Sequence, residues 1–301
     1  KNRHLIYKNV LAGEVWVCSG QSNMAFKLKQ ASTFQTDIPQ ANNPDIRLFN
    51  MKPNWETNST EWNASAMDSL NRLQYFKTDG WVACTPENAA VFSAVGYYFG
   101  KMLSDSLHVP VGLILNAVGG SPCEAWIDRR TLEYKFPDIL TDWTRNDMIQ
   151  DWVRERAVLN VKKSENKLQR HPYEPCYLYE SGIILLAQYS INGVIWYQGE
   201  SNAHNMEIHE TLFPLLVNSW RKNWDNETLP FYYVQLSSLN RPSWTWFRDS
   251  QRRLMEQVPN VYMAVSSDKG DSLDVHPRDK QAVGERLARW ALNKSFQKNI
   301  K

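Results

Sequence analysis

Five short apolar segments, rich in β-branched and aromatic residues, alternate along the chain with longer segments of helical spacing. Because the short segments are apolar on both faces, they are typical of strands in a central parallel sheet that helices cover on both sides. The segments are EVWVCSG (14–20), VPVGLILNAV (109–118), NGVIWYQG (192–199), PFYYVQLS (230–237) and VYMAVSS (261–267).

Helices are predicted at residues 89–107, 212–224 and 278–296, where apolar residues recur every three or four positions. A repeated succession of strand, helix and strand is typical of the α/β class. The pattern therefore predicts a three-layer α/β sandwich with a central parallel sheet and right-handed crossovers.

Two stretches interrupt this alternation. Residues 51–80 are polar and rich in Asn, Ser, Thr and Trp, which predicts a long surface loop. Residues 128–178 are dense in charge, have helical spacing and contain no strand pattern, which predicts a helical insertion between two strands. We therefore expect residues 1–301 to form a single domain with a helical insertion at 128–178.

The composition narrows the class of protein. A hydrophobic fraction of 43%, with 13 Trp, 13 Tyr and 11 Phe, is sufficient for a large core. The net charge is only +2 and no run of like charge occurs, so a nucleic-acid partner is not expected. Apolar runs such as GIILLA (182–187) are much shorter than the ~20 residues that span a bilayer, so a soluble globular protein is expected.

The four cysteines show no CxxC spacing and no neighbouring cluster of histidines, so a metal site is not expected. Cys18 lies in a predicted buried strand and is expected to be a free core thiol, while the pairing of the other three is open. Residues 1–13 lack the apolar stretch of a signal peptide. A secreted or periplasmic location is favoured only by four N-x-S/T sequons, at Asn58, Asn63, Asn226 and Asn293.

Chemically useful side chains directly follow four of the predicted strands. In an open α/β sheet, ligands bind beyond the carboxyl ends of the strands, so these side chains are expected to meet there. They are Ser22 in GQSNM, Gly119 and Gly120 in GGSPCEAW, Glu200 and Asn202 in GESNA, and Asp271, Asp274 and His276 in DKGDSLDVHPRDK.

These are the groups that acyl transfer requires. A serine hydroxyl becomes a strong nucleophile when a histidine takes its proton, and a carboxylate fixes the tautomer of that histidine. The tetrahedral intermediate needs hydrogen-bond donors, for which the N–H groups of Ser22 and Gly120 are candidates. A side-chain amide, Gln198 or Asn202, is the third candidate, and Gln21 beside the hydroxyl is a further binding candidate.

Each of these features also has a purely structural explanation. A lone serine at such a position is more often a helix N-cap than a nucleophile, and a pair of glycines is often only a turn. Glu200 and Asn202 suit a helix start, and the neighbouring Asp274 and His276 suit an ordinary loop. Capping does not require a histidine at the last strand end, so the coincidence at four strand ends favours the catalytic interpretation.

In this order, GQSNM, GGSPCEAW, WYQGESNA and DVHPRDK resemble the sialate O-acetylesterase family, which belongs to the SGNH-type hydrolases. That family is related to plant and bacterial carbohydrate acetylesterases. The resemblance extends over residues 12–295 and includes FSAVGYYFG (92–100) and PFYYVQL (230–236). It implies a flavodoxin-like SGNH fold, Ser22 as nucleophile, His276 as general base, and no metal or organic cofactor.

The sequence departs from the SGNH pattern at the acidic residue. Many SGNH hydrolases have a carboxylate three residues before the histidine, where this chain has Leu273. Two acid partners for His276 therefore stay open, Asp274 and Glu200, and so does a dyad assisted by backbone carbonyls. The SGNH asparagine lies in a Gly-x-Asn-Asp context, whereas this chain has GESN, so Gln198 is an alternative to Asn202 as donor.

The resemblance implies a carboxylic ester hydrolase that removes O-acetyl groups from a sugar, with 9-O-acetylated sialic acid as the leading substrate. Acetylated xylan or another plant glycan is the second substrate class. A lipid or thioester hydrolase and a catalytically silent carbohydrate-binding protein are the alternatives of other kinds. Trp126, shortly after Gly120, is expected near the mouth of the site.

Overall fold

All five predicted strands lie in one seven-stranded sheet, which two further strands complete. The computed structural model describes residue 6 and residues 8–300. The strands are β1 Glu14–Gly20, β2 Asn43–Asn50, β3 Lys52–Pro53, β4 Phe76–Lys77, β5 Trp81–Cys84, β6 Val111–Ala117, β7 Gly193–Tyr197, β8 Phe231–Val234 and β9 Val261–Ala264.

The order in the main sheet is β5-β2-β6-β1-β7-β8-β9, and β3 pairs separately with β4. All neighbours in the main sheet are parallel except the edge strand β5, which pairs antiparallel with β2. The sequence analysis missed β2 because its first half, NPD, is polar and partly exposed. A strand that buries only its second half lacks the continuous apolar run of its neighbours.

Helices cover both faces of the sheet and confirm the predicted three layers. They are α1 Ser22–Ala25, α2 Phe34–Asp37, α3 Ala64–Asn71, α4 Pro86–Ala90, α5 Ala94–Leu107, α6 Arg129–Lys135, α7 Asp151–Asn160, α8 Ile184–Leu186, α9 Met206–Asn223, α10 Trp244–Gln257 and α11 Lys280–Lys294.

Successive residues of β1 point to opposite faces and join two separate cores. Trp16 packs with Phe99 of α5 and Leu287 of α11 in one cluster. Val17 packs in the other cluster, which includes Trp220 of α9. A strand alternates its side chains between the two faces, so the central strand is buried on both sides only because each face has its own helical layer.

Three predicted boundaries differ from the structure. The predicted helix at 89–107 is two helices, because the Ser93 hydroxyl caps α5 by accepting a hydrogen bond from the Gly96 N–H at 3.0 Å. Residues 51–80 are not only a loop: they contain the β3–β4 pair and α3, whose first turn is capped by Asn63. Helix α10 was not predicted at all.

Residues 128–178 contain α6 and α7 and, within the described structure, no strand. Most of their buried apolar residues belong to the same core cluster as Val17, among them Val153, Tyr173 and Tyr177. The segment is therefore packed on the sheet face as part of one core. Its treatment as an insertion within a single domain stays a prediction.

The register of three central strands sets the position of the loops that follow them. Gly20 at the end of β1 is paired with Ala117 of β6 on one side and Tyr197 of β7 on the other. The chain leaves all three strands at the same level. The segments beginning at Gln21, Val118 and Gln198 therefore emerge side by side at the carboxyl edge, where α/β sheets bind ligands.

Among the described residues, no helix combines the length and the apolar character needed to cross a membrane.

We expect Gly20→Ala to destabilise the fold much more than Gly80→Ala. Both glycines have positive φ, at 133° and 78°, a backbone conformation that costs an alanine roughly 1–3 kcal/mol. A Cβ atom on Gly20 would also lie 2.1 Å from the Tyr197 carbonyl oxygen, whereas one on Gly80 meets nothing within 4 Å. Urea unfolding should show a loss above about 3 kcal/mol for Gly20→Ala. Equal losses for the two variants would contradict the strand register at the site.

Candidate active site

Ser22 and His276 meet at the carboxyl edge of the sheet. The His276 Nε2 atom lies 2.8 Å from the Ser22 Oγ atom, although 254 positions separate the two residues. Ser22 is the first residue of α1, and the N-cap is Gln21, so the serine hydroxyl does not cap the helix. Because both side chains are only partly buried, a ligand in solvent has access to the hydroxyl.

The environment of His276 favours its neutral form. Burial lowers the pKa of this imidazole, the positive charge of Lys280 lowers it further, and the negative charge of Asp274 opposes them. A neutral imidazole that contacts a hydroxyl through Nε2 is able to accept the hydroxyl proton. The pair therefore has the geometry and the protonation state of a nucleophile with its base.

Neither candidate carboxylate bonds to the imidazole ring of His276 among the described residues. Asp274 Oδ1 instead accepts the backbone N–H of His276 at 2.8 Å. Glu200 Oε1 accepts the Asn23 Nδ2 group at 2.5 Å. The structure thus gives Asp274 a role in shaping the loop of His276, and gives Glu200 a role beneath the serine turn.

Asn23 connects the serine turn to two other elements. Besides its bond to Glu200, its Nδ2 group donates to the Val275 carbonyl oxygen at 2.9 Å, and its Oδ1 atom accepts from the Lys280 ammonium. Burial raises the pKa of the Glu200 carboxyl, and the Asn23 hydrogen bond partly offsets that rise. Asn23, which follows Ser22, is therefore hydrogen-bonded to Val275, which precedes His276.

The Gly119–Gly120 peptide is oriented by hydrogen bonds on its carbonyl side. The Gly119 oxygen accepts from the Thr57 hydroxyl and from the Tyr173 hydroxyl, each at 2.8 Å. In a trans peptide the N–H points opposite to the carbonyl, so the Gly120 N–H faces away from Thr57 and Tyr173.

Gly120 adopts a φ of 72°, and a Cβ at this position would lie 2.4 Å from the Tyr173 hydroxyl, so only glycine fits. Gly119 itself is close to the nucleophile, since a Cβ on it would lie 3.8 Å from the Ser22 Cβ atom. In the described structure neither the Gly120 N–H nor the Ser22 N–H has an acceptor. Two unpaired N–H groups beside a serine hydroxyl are suited to stabilise an oxyanion.

The predicted side-chain donors mostly hold the loops together. Gln198 donates to the Ser121 carbonyl at 3.3 Å and to Asn202 Oδ1 at 2.6 Å. Since an amide group has two protons, Gln198 has none left for a ligand. Gln21 Oε1 accepts the N–H groups of Gly199 and Ser201, each at 3.3 Å, and so joins the loop after β1 to the loop after β7.

Asn202 is the remaining amide and is also engaged. Its Oδ1 atom accepts the Cys123 N–H, and its Nδ2 group donates to Glu124 Oε2, both at 2.9 Å. Burial raises the pKa of the Glu124 carboxyl to about 7. Glu124 and Asn202 therefore link the second and third sequence blocks below the site, and one Asn202 proton stays unassigned.

Sequence reasoning missed four residues that shape this site: Asn23, Thr57, Tyr173 and Lys280. Asn23 and Lys280 lie inside the quoted blocks GQSNM and DVHPRDK, so their blocks were found and their roles were not. Thr57 and Tyr173 lie in the two stretches interpreted as loop and insertion, where no local signal points to the site.

Trp126 is not at the mouth of the site. It is fully buried, and its indole N–H donates to the Ser121 hydroxyl at 2.9 Å.

All four cysteines, which lie in the described part of the chain, are free and buried, as expected for Cys18. Among the described residues, no group of His, Cys, Asp and Glu is arranged to hold a metal ion.

Comparison with known proteins identifies the family. A model of the family described as "Carbohydrate esterase, sialic acid-specific acetylesterase" matches residues 12–293. This chain belongs to that family. The sialate O-acetylesterase of Rattus norvegicus is 29% identical over 95% of the chain, and that of Mus musculus is 30% identical over 93%. The chain spans 57% and 56% of these two relatives, so it corresponds to about half of their length.

Solved structures agree with the family assignment. A carbohydrate acetylesterase from Xanthomonas citri is 30% identical, with a TM-score of 0.73 over 96% of this chain and 58% of that chain. A protein from Arabidopsis thaliana has a TM-score of 0.51 at 17% identity, over 93% of this chain and 98% of that chain, and supports the fold alone. The esterase family of this chain thus confirms the resemblance inferred from the sequence blocks.

We expect Asp274→Asn to retain activity within a few-fold and Asp274→Ala to lose about 10-fold in kcat/KM. Asparagine keeps the oxygen that accepts the His276 N–H, whereas alanine releases the loop. If Asp274 held the imidazole as a triad acid, the asparagine variant would lose about 10⁴-fold. Steady-state kinetics on an acetate ester distinguish the two roles, and a loss of that size for Asp274→Asn would contradict ours.

Proposed function

We propose that this chain is a serine esterase that removes O-acetyl groups from sugars, with 9-O-acetylated sialic acid as its leading substrate. The observation that carries the proposal is the 2.8 Å contact between Ser22 Oγ and His276 Nε2 at the ligand-binding edge of the sheet. A catalytically silent carbohydrate-binding protein has no need of a serine in contact with a neutral histidine.

In the first half-reaction, Ser22 Oγ attacks the acetyl carbonyl carbon while His276 Nε2 takes the hydroxyl proton. The carbonyl oxygen becomes an oxyanion that the N–H groups of Ser22 and Gly120 stabilise. The bond to the sugar oxygen then breaks, and the sugar leaves with the proton from His276. Water, deprotonated by His276, releases acetate from Ser22 by the same steps.

The arrangement supports a Ser–His dyad rather than a triad. Asp274 fixes the backbone of the His276 loop, and Glu200 acts from beneath through Asn23. Asp274 also places negative charge near an imidazole that becomes positive during the reaction, which favours proton transfer. Among the described side-chain amides at the site, Gln198 has both protons engaged, whereas Gln21 is bonded through its oxygen and Asn202 has one proton bonded to Glu124, so Gln21 and Asn202 keep protons for the oxyanion.

The sugar class is inferred from the relatives. The relatives from rat and mouse are named sialate O-acetylesterases, and the Xanthomonas citri structure is named a carbohydrate acetylesterase. An O-acetylated sialic acid is therefore the first substrate to test, and acetylated xylan is the second. Three sequons lie on exposed asparagines, Asn58, Asn63 and Asn293, which supports a secreted location.

We expect Ser22→Ala to abolish hydrolysis of 4-nitrophenyl acetate, because it removes the attacking oxygen. The exposed Ser59→Ala is the matched control and should keep wild-type activity. Loss of the nucleophile should lower kcat by at least about 10³-fold. Comparable rates for Ser22→Ala and Ser59→Ala would remove the nucleophile assignment.

The chain length of the acyl group separates a sugar deacetylase from a lipid or thioester hydrolase. A lipid or thioester hydrolase would keep its rate on butyrate and octanoate esters, whereas the rate of a sugar deacetylase should fall sharply for acyl groups longer than acetyl.

We expect acetate release from 9-O-acetyl sialic acid to exceed that from acetylated xylooligosaccharides at equal acetyl concentration. Acetate is measured directly, with Ser22→Ala as the blank for spontaneous loss. A preference for the xylooligosaccharide would leave the esterase assignment intact, but the proposed substrate would change from a sialic acid to a plant glycan.

We expect kcat/KM to rise with pH through a midpoint below about 6.5, the usual pKa of histidine. The sign follows from the environment of His276: burial and Lys280 lower its pKa, so the active neutral form persists to lower pH. Rates across pH 4–8 on an ester with an activated leaving group measure this midpoint. A midpoint above 7 would show that nearby negative charge, such as that of Asp274, raises the pKa of His276 by more than burial and Lys280 lower it.

A further inference from the structure

Lys280 is a buried cation that the proposed reaction does not use directly. It is the first residue of α11, and its side chain is fully buried. Its Nζ atom donates to Asn23 Oδ1 and lies over two aromatic rings, 4.7 Å from the Phe26 centroid and 5.4 Å from that of Tyr197. The ammonium thus lies directly below the serine turn.

The position is unfavourable for a lysine on local grounds. Burial opposes the charged form, and the positive end of the helix dipole repels a cation at the first turn of α11. An apolar side chain between two aromatic rings would avoid both costs. A site that retains an unfavourable charge in this way is a candidate for function.

The Asn23 amide shows what the charge does. An amide side chain can rotate by 180°, which exchanges its oxygen with its NH₂ group. The ammonium has only donors, so it fixes the Asn23 oxygen toward α11. The two amide protons then point to the Val275 carbonyl at 2.9 Å and to Glu200 at 2.5 Å.

We propose that Lys280 is a positioning residue for ester hydrolysis: it orients Asn23 so that the Ser22 turn and the His276 loop stay in contact, and its positive charge acts on the histidine that this loop carries. This inference rests on the proposed function. Lys280 acts through Asn23 and through its charge, without contact with the substrate.

The surrounding charges are consistent with this role. The negative charges of three carboxylates favour the charged form of Lys280: Glu200 after β7, Asp274 in the His276 loop, and Asp279 at the start of α11. Asp279 is also paired with Lys269 at 2.9 Å. The pKa of Lys280 is lowered to about 7 by burial, against the pull of these carboxylates. The charge is therefore present below pH 7, where the protonation of His276 limits activity.

The test compares Lys280→Met with Lys294→Met, an exposed lysine at the far end of the same helix. Lys280→Met should lower kcat about 10- to 100-fold, as expected for a misplaced catalytic pair, with little change in KM. Its acidic midpoint should rise by about 0.5 to 1 pH unit, because a cation near His276 is lost. Lys294→Met should leave both quantities unchanged.

Folding is controlled with the double variant Lys280→Met/Glu200→Gln. Removing the lysine alone leaves the buried Glu200 carboxyl without its positive neighbour, so Tm should fall. Neutralising Glu200 should restore Tm without returning the midpoint to its wild-type value. A folded Lys280→Met enzyme whose midpoint has not moved would overturn the proposal, whether or not kcat has fallen.

A second measurement separates this inference from the proposed function. NMR titration of the His276 ring in wild type and in Lys280→Met reports the imidazole pKa without any turnover. If the wild-type chain hydrolyses no acetyl ester, the proposed function fails, and the titration still decides the electrostatic claim. Identical ring titrations in the two proteins would by themselves refute the proposed effect of the Lys280 charge on His276.

Discussion

The hydrogen bond between the Ser22 hydroxyl and the His276 imidazole is the contact on which the proposed chemistry of this protein depends. Its two residues are 254 positions apart, so no local structure can form it. The parallel sheet forms it by ending β6, β1 and β7 at one level and carrying the chain back to that edge after β9. A slip in this register would move the serine turn away from the glycine pair and from the histidine loop together.

Below that contact, buried amides hold the strand-end loops in place. Gln21 joins the first loop to the third, Asn202 joins the second to the third, and Asn23 joins the first to the last. A buried polar group that loses its partner costs about 1–3 kcal/mol, so these loops cannot shift one at a time. This explains why amides that were expected to bind the oxyanion instead form hydrogen bonds between loops: a site assembled from four loops needs contacts that fix the loops relative to one another.

The segment 128–178 contributes to the site as well as to the core. Its Tyr173 packs in the core cluster and also donates to the Gly119 oxygen, which orients the adjacent Gly120 N–H. The geometry of the backbone donor therefore depends on a residue from the most irregular part of the chain. The chain belongs to the sialic acid-specific acetylesterase family, and the contact between Ser22 and His276 is consistent with the esterase chemistry proposed for it. The chain corresponds to about half the length of its mammalian relatives.

The sequence by itself determined the α/β class, the five central strands, the family, and the four blocks that meet at the sheet edge. These are encoded locally, in apolar runs and in small sets of neighbouring residues, and therefore can be recognised without coordinates. It did not reveal β2, β5 or the β3–β4 pair, whose apolar patterns are short or broken. Helix α10 was also missed: its buried face has helical spacing, but it mixes the apolar Trp244, Phe247 and Leu254 with the polar Ser250 and Gln251.

Only the tertiary structure decided which side chains touch. It placed Asp274 on a backbone N–H, Glu200 on Asn23, Trp126 in the core, and Lys280 beneath the serine turn. The physical reason is that hydrogen bonds between residues far apart in the chain depend on the register of the strands and on the direction of each side chain. Neither the strand register nor the direction of a side chain can be derived from the spacing of residues along one segment.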